Sequence, residues 1–128
     1  MRRSSRARVV AALAALSIVA ACGNPFGDEG TRVRLRNASE FELTNVTFAP
    51  GTPRLEFARI APGAVTEYQS VEDAYRYGYL DLLVGGERRR LQPIDYVGES
   101  VIGEGDFTYV ITIDAATRYP AVELRRDD

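Results

Sequence analysis

Apolar residues in this chain recur at every second position, and that spacing leaves little room for anything but strands. In Thr31-Arg32-Val33-Arg34-Leu35-Arg36-Asn37, Val33 and Leu35 fall on one side and three arginines on the other, the signature of a half-buried strand. Phe41 with Leu43, and Val46 with Phe48, also alternate. The two pairs are out of phase across Thr44-Asn45, which predicts a bulge or bend there. Ala49-Pro50-Gly51-Thr52-Pro53 reads as a loop, and Ala61-Pro62-Gly63 closes the strand that begins at Leu55. Further strands are expected over 64–69, 74–84, 87–94, 106–114 and 121–126.

Short strands at this spacing, with no helical period after residue 21, predict an all-β fold. The expected form is an antiparallel immunoglobulin-like or fibronectin-like sandwich of about seven or eight strands. Ile102-Gly103-Glu104-Gly105-Asp106-Phe107-Thr108-Tyr109 resembles the turn and Tyr-bearing strand of fibronectin-like domains. One hairpin can be placed to the residue. Val84-Gly85-Gly86-Glu87 suits a two-residue primed turn, since glycine accepts positive φ at both central positions. Val84 then opposes Glu87, Leu82 opposes Arg89 and Leu80 opposes Leu91. On the other face Leu83 meets Arg88, Asp81 meets Arg90, Tyr79 meets Gln92 and Tyr77 meets Ile94. Leu80, Leu82, Val84 and Leu91 make the core side of that register.

The first 21 residues are of another kind. Met1-Arg2-Arg3-Ser4-Ser5-Arg6-Ala7-Arg8 is basic, and Val9–Val19 is apolar except for Ser17. A run of eleven residues is too short to span a bilayer, which takes about twenty, but it suits the core of an export signal, expected to be helical. Val19-Ala20-Ala21-Cys22 follows, with the only Cys of the chain in last place. This resembles the lipobox of bacterial lipoproteins, with Val in place of the commoner Leu at its first position. The resemblance implies cleavage before Cys22 and a diacylglyceryl group on its thiol, with further acylation, such as palmitate, of its amine. Two or more acyl chains hold a protein stably on a membrane. Arg2-Arg3 lacks the neighbours of a twin-arginine signal, so ordinary secretory export is expected. The organisation read from the sequence is thus a signal peptide over 1–21, a lipidated tether over 22–30 rich in Gly, Pro and acid, and one β domain over 31–128. The expected location is the bacterial cell envelope, at its periplasmic or surface face. The chain as a whole resembles the many small lipoproteins that follow such a signal with one compact β domain.

Charge and composition narrow the function. Four arginines belong to the signal, so twelve remain against eighteen Asp and Glu. An acidic domain without a basic stripe is poorly suited to nucleic acid. Every basic residue is Arg, which removes lysine chemistry, and there is no His and no Trp. With Cys22 committed to lipid, His- or Cys-based nucleophilic catalysis and the common zinc sites are excluded. No cofactor beyond the lipid is expected.

Carboxylates remain, at Glu72, Asp73, Asp95, Glu99, Glu104 and Asp106. A glycan hydrolase would need two of them facing across a cleft, and a calcium site would group Glu99, Glu104 and Asp106 on loops. Asp95 and Tyr96, after Pro93, read as a structural corner. The remaining feature is a run of tyrosines, Tyr68, Tyr75, Tyr77 and Tyr79, interleaved with Arg76. If Tyr75, Tyr77 and Tyr79 share one strand face, they join Arg88 and Arg90 in a patch suited to binding an envelope protein, because Tyr and Arg combine large contact area with polar tips. The competing role for the rings is packing, with hydroxyls satisfied at the rim. The leading expectation is a non-catalytic, lipid-anchored binding, adaptor or structural module. The alternatives are an envelope glycan hydrolase and a calcium-dependent module.

Overall fold

The computed structural model describes residues 30–93 and 100–127. The signal segment, Cys22 and the tether through Glu29 lie outside the described residues. So do residues 94–99, which include Ile94, Asp95, Tyr96 and Glu99.

Eight strands are present: β1 (Thr31–Asn37), β2 (Leu43–Ala49), β3 (Leu55–Ile60), β4 (Gln69–Val71), β5 (Tyr79–Val84), β6 (Glu87–Leu91), β7 (Gly105–Ile113) and β8 (Pro120–Arg126). They form two four-stranded sheets, ordered β4-β1-β7-β8 and β3-β2-β5-β6. The inward side chains of both sheets make one core. Val33 and Leu35 come from β1, Phe107, Tyr109 and Ile111 from β7, Leu43, Val46 and Phe48 from β2, and Leu80, Leu82 and Val84 from β5. Each such aliphatic or Phe side chain contributes about 1.5–3 kcal/mol by leaving water, and the alternation in the sequence is what aims them all inward. Phe48 meets the ring of Tyr109 edge to face across the two sheets, with centroids 4.8 Å apart.

The sandwich is the expected one, with three local departures. First, β1 and β7 pair in parallel, while every other ladder is antiparallel. Parallel neighbours need a long connection, and here the whole β3-β2-β5-β6 sheet is built between them in the chain. Second, the strand expected over 64–69 is broken. Val65 bridges Arg36, and Val33 is next matched with Gln69, so the partner chain takes four steps while β1 takes three. The Thr66 hydroxyl causes the slip by accepting the Leu35 amide at 3.0 Å in place of a main-chain carbonyl. Third, the strand expected over 74–84 begins only at Tyr79. In the hairpin that follows, all five expected pairs from Leu80–Leu91 to Val84–Glu87 are present, and Gly85 and Gly86 have φ of 56° and 90°. The pairs proposed for Tyr79 and Tyr77 lie beyond the ladder, which stops at Leu91 before Pro93, and Ile94 is outside the described residues.

The sandwich has two poles. At the amino-terminal pole the Gly105 amide donates to the Gly30 carbonyl (3.0 Å), Ile102 to Ala74 (2.8 Å) and Tyr75 to Pro50 (2.9 Å). At the far pole the buried Asn37 joins the sheets. Its Nδ2 group lies 2.7, 3.0 and 3.1 Å from the carbonyls of Phe41, Ile60 and Ala61, and its Oδ1 accepts from the amide and hydroxyl of Ser39. One side chain at the end of β1 thereby fixes the start of β2 and the end of β3. Asn37→Ala is expected to cost about 2–4 kcal/mol, because the Ile60 and Ala61 carbonyls lose their side-chain donor and Phe41 keeps only the Ser39 hydroxyl at 3.3 Å. Asn37→Asp should not restore that loss, since it sets an oxygen against the same carbonyls. Urea unfolding of the chain lacking residues 1–22 measures both.

Candidate functional site

The outer face of the β3-β2-β5-β6 sheet carries a polar group that the pleat assembles. Leu80, Leu82 and Val84 point into the core, so Tyr79, Asp81 and Leu83 point out, opposite Arg88 and Arg90 of β6. Asp81 organises the group. Arg88 donates to both its oxygens, Nε to Oδ1 at 3.1 Å and Nη2 to Oδ2 at 2.6 Å. The Tyr79 hydroxyl donates to Oδ2 at 3.1 Å, and Arg90 stands 3.7 Å from the same oxygen with its guanidinium 6.0 Å from the Tyr79 ring centre. The Arg88 hydrogen bonds hold the Asp81 carboxyl below the ordinary range against the opposing effect of burial, and the Tyr79 bond and both Arg charges add to them. Asp81 is 18 % exposed against 60 % for Arg88 and 49 % for Arg90. The acid is the inner pin and the two cations are the presented surface.

The bulge gives this face its relief. Asn45 has φ of 49°, and the register between β2 and β5 slips between Thr44 and Thr47. A depression of about 280 Å³ opens there between Asn45, Thr47, Leu83 and Arg88, over Asp81. A second, of about 390 Å³, lies on the β3 side of the same bulge, bordered by Glu56, Phe57 and Ala58. Sequence reading grouped Tyr79, Arg88 and Arg90, which share this face, and did not include Asn45 and Thr47, which border it. The phase break at Thr44-Asn45 was the available signal, because a bulge re-aims the side chains beside it.

The tyrosine patch does not form as one strand face. Tyr79 lies on β5, whereas Tyr75, Arg76 and Tyr77 lie in the loop before it. Gly78 marks the break: a Cβ there would come within 2.7 Å of the Ala49 carbonyl and of Pro50. The loop is also tied down from inside. The buried Tyr109 hydroxyl donates to the Tyr75 carbonyl, and burial raises the pKa of that phenol, which stays neutral. Tyr75 is therefore half-buried and Tyr77 exposed, at the rim of an apolar groove of about 470 Å³ between Leu91–Pro93 and Pro120–Val122. Tyr68 belongs to the other sheet altogether. Its ring lies under Arg32 and Arg34, at 5.0 and 4.5 Å, and its hydroxyl donates to Asp127 at 2.7 Å.

The carboxylate candidates are similarly dispersed. Glu72 and Asp73 are exposed before the Tyr75 loop, Glu104 is exposed beside β7, and Asp95 and Glu99 lie outside the described residues. Asp106 takes a two-point pair from Arg32, at 2.8 and 2.6 Å, which lowers its pKa. Among the described residues no three His, Cys, Asp or Glu side chains gather as a metal site.

No protein-family model matches the chain, and no curated protein matches it. Its fold is similar to the NMR structure of a protein from Eubacterium rectale, with TM-score 0.54 and 15 % identity over 83 % of this chain and 96 % of that one. At that identity the likeness is one of fold.

Two measurements follow. Tyr109→Phe should cost about 1–2 kcal/mol in urea unfolding, because it leaves the Tyr75 carbonyl without its donor, and should speed limited proteolysis between Ala74 and Gly78. Asp81 and Asp106 have folded-state pKa values below their unfolded ones, so their contribution to stability is complete above the ordinary carboxylate value of about 3.9 and is lost as pH falls through the lower folded-state values. Unfolding free energy should fall along that acid limb, and the limb should flatten in Asp81→Asn.

Proposed function

We propose that this chain is a lipid-anchored protein of the bacterial cell envelope whose β-sandwich is a non-catalytic binding or adaptor module for another envelope protein. The observation that carries the reading is Val19-Ala20-Ala21-Cys22 placed directly behind a basic start and an eleven-residue apolar run. The folded domain supports it with the kind of surface it offers. Arg88 and Arg90, pinned by Asp81 and flanked by Tyr79, sit beside the depressions at the β2 bulge. Preset guanidinium groups next to an aromatic ring favour recognition of a polar or acidic partner surface, since little side-chain entropy is left to lose on contact. The readings as a glycan hydrolase or a calcium module gain nothing comparable. Asp106, which both invoke, is already engaged by Arg32, and a carboxylate with a lowered pKa is unsuited to donating a proton.

Cys22→Ser is expected to abolish incorporation of a clickable palmitate analogue and to move the protein out of the membrane fraction. A membrane-bound Cys22→Ser protein would sink the anchor reading. Photo-crosslinking in cells from position 83, beside Arg88, should give one discrete adduct that disappears when Arg88 and Arg90 are both changed to Ala. An adduct that survives the double change would remove this face from the interaction.

A further inference from the structure

The amino-terminal pole holds an exposed apolar pair that the adaptor reading leaves unused. Among the described residues four large hydrophobic side chains are conspicuously exposed, and two of them, Tyr77 and Val101, each 49 % exposed, belong to the loops of this pole. Main-chain hydrogen bonds fix both loops to the start of the domain. Ile102, next to Val101, donates to Ala74 (2.8 Å), and Tyr75 donates to Pro50 (2.9 Å). The Thr31 hydroxyl donates to Gly103 (2.6 Å), two residues beyond Val101.

Covalent geometry sets how far this pole can stand from Cys22. The eight steps from Cys22 to Gly30 span at most about 28 Å even when drawn out straight, no more than the roughly 30 Å length of a nine-residue strand such as β7. Of the two ends of the sandwich, the Tyr77 end is therefore the one kept near any lipid on Cys22. Val65, also exposed, bridges Arg36 five residues along β1 from Thr31, which sets it roughly 17 Å farther from that end.

We propose that Tyr77 and Val101 rest on the phospholipid interface, so that the sandwich stands with its amino-terminal pole against the bilayer and the Tyr79–Arg88–Arg90 face turned along the side. This rests on the lipid-anchor reading of Cys22. Tyrosine suits that position because its ring enters the headgroup boundary while its hydroxyl stays wet. The charges of the pole define the type of contact. Glu72, Asp73, Glu104, Asp106 and Asp127 offset Arg32, Arg54, Arg76 and Arg126 among its described residues, so the pole has no excess of positive charge to draw it to anionic headgroups. The contact is apolar, and zwitterionic lipid suffices for it.

The chain contains no Trp, which makes single-Trp reporters clean. Full-length protein, processed and acylated in cells, is placed in phosphatidylcholine vesicles with or without brominated acyl chains, as Tyr77→Trp, Val101→Trp or Val65→Trp. The first two are expected to show blue-shifted emission and about a twofold loss of intensity with brominated lipid, as fits a ring buried about 5–10 Å into the headgroup boundary. The third should lose none. Emission from Tyr77→Trp should also be unchanged by high salt. Acylated protein that floats with the vesicles while all three reporters are quenched equally, or none is, overturns this inference alone. Absence of the acyl mass on Cys22, with no flotation, overturns the anchor reading and the inference together.

Discussion

The Asn37 amide is the interaction on which the rest of this sandwich depends. Two sheets that meet only through apolar side chains can slide over one another at little cost, because the hydrophobic effect has no direction. Asn37 removes that freedom. It ends a strand of one sheet and holds the carbonyls that open and close two strands of the other, in a site where an unmet polar group is expensive. At the opposite pole Tyr109 reaches from β7 to the loop before β5. The core between these two polar ties then has one packing, with the Phe48 and Tyr109 rings set edge to face within it.

What was legible in the sequence was whatever a period of two or a turn signal expresses. The β5-β6 hairpin could be placed pair by pair because two glycines and alternating leucines leave one register that buries them. The bulge at Asn45 could be placed because a phase change has few other causes. The features that were missed have physical reasons of a different kind. Residues 74–78 are apolar and aromatic enough to read as strand, but their backbone groups bond to Pro50 and Ile102 on two different segments, and Gly78 closes against Ala49 and Pro50. Tyr68 looks like a member of the same tyrosine run and belongs to the other sheet. Sequence proximity carries no information about which sheet a loop will deliver a side chain to.

The site shows the same division. Alternation alone sets Asp81 opposite Arg90 and beside Arg88, so a charged outer face was expected. That Asp81 would be the shielded member and the arginines the exposed ones depends on the Tyr79 hydroxyl and on the bulge across the sheet, neither of which a one-strand pattern describes.

The parallel pairing of β1 with β7 has a mechanical consequence. A pull on the chain ahead of Thr31 runs along the axis of β1, which lies between β4 and β7 and is matched residue for residue with β7 from Thr31–Gly105 to Asn37–Ile111. Force in that direction loads the ladder in shear, so its hydrogen bonds share the strain and must yield together. Had β1 been the edge strand of a hairpin pulled from its open end, the bonds would break singly, in sequence. A force applied ahead of Thr31 is thus resisted through the unfolding rate as well as the equilibrium stability.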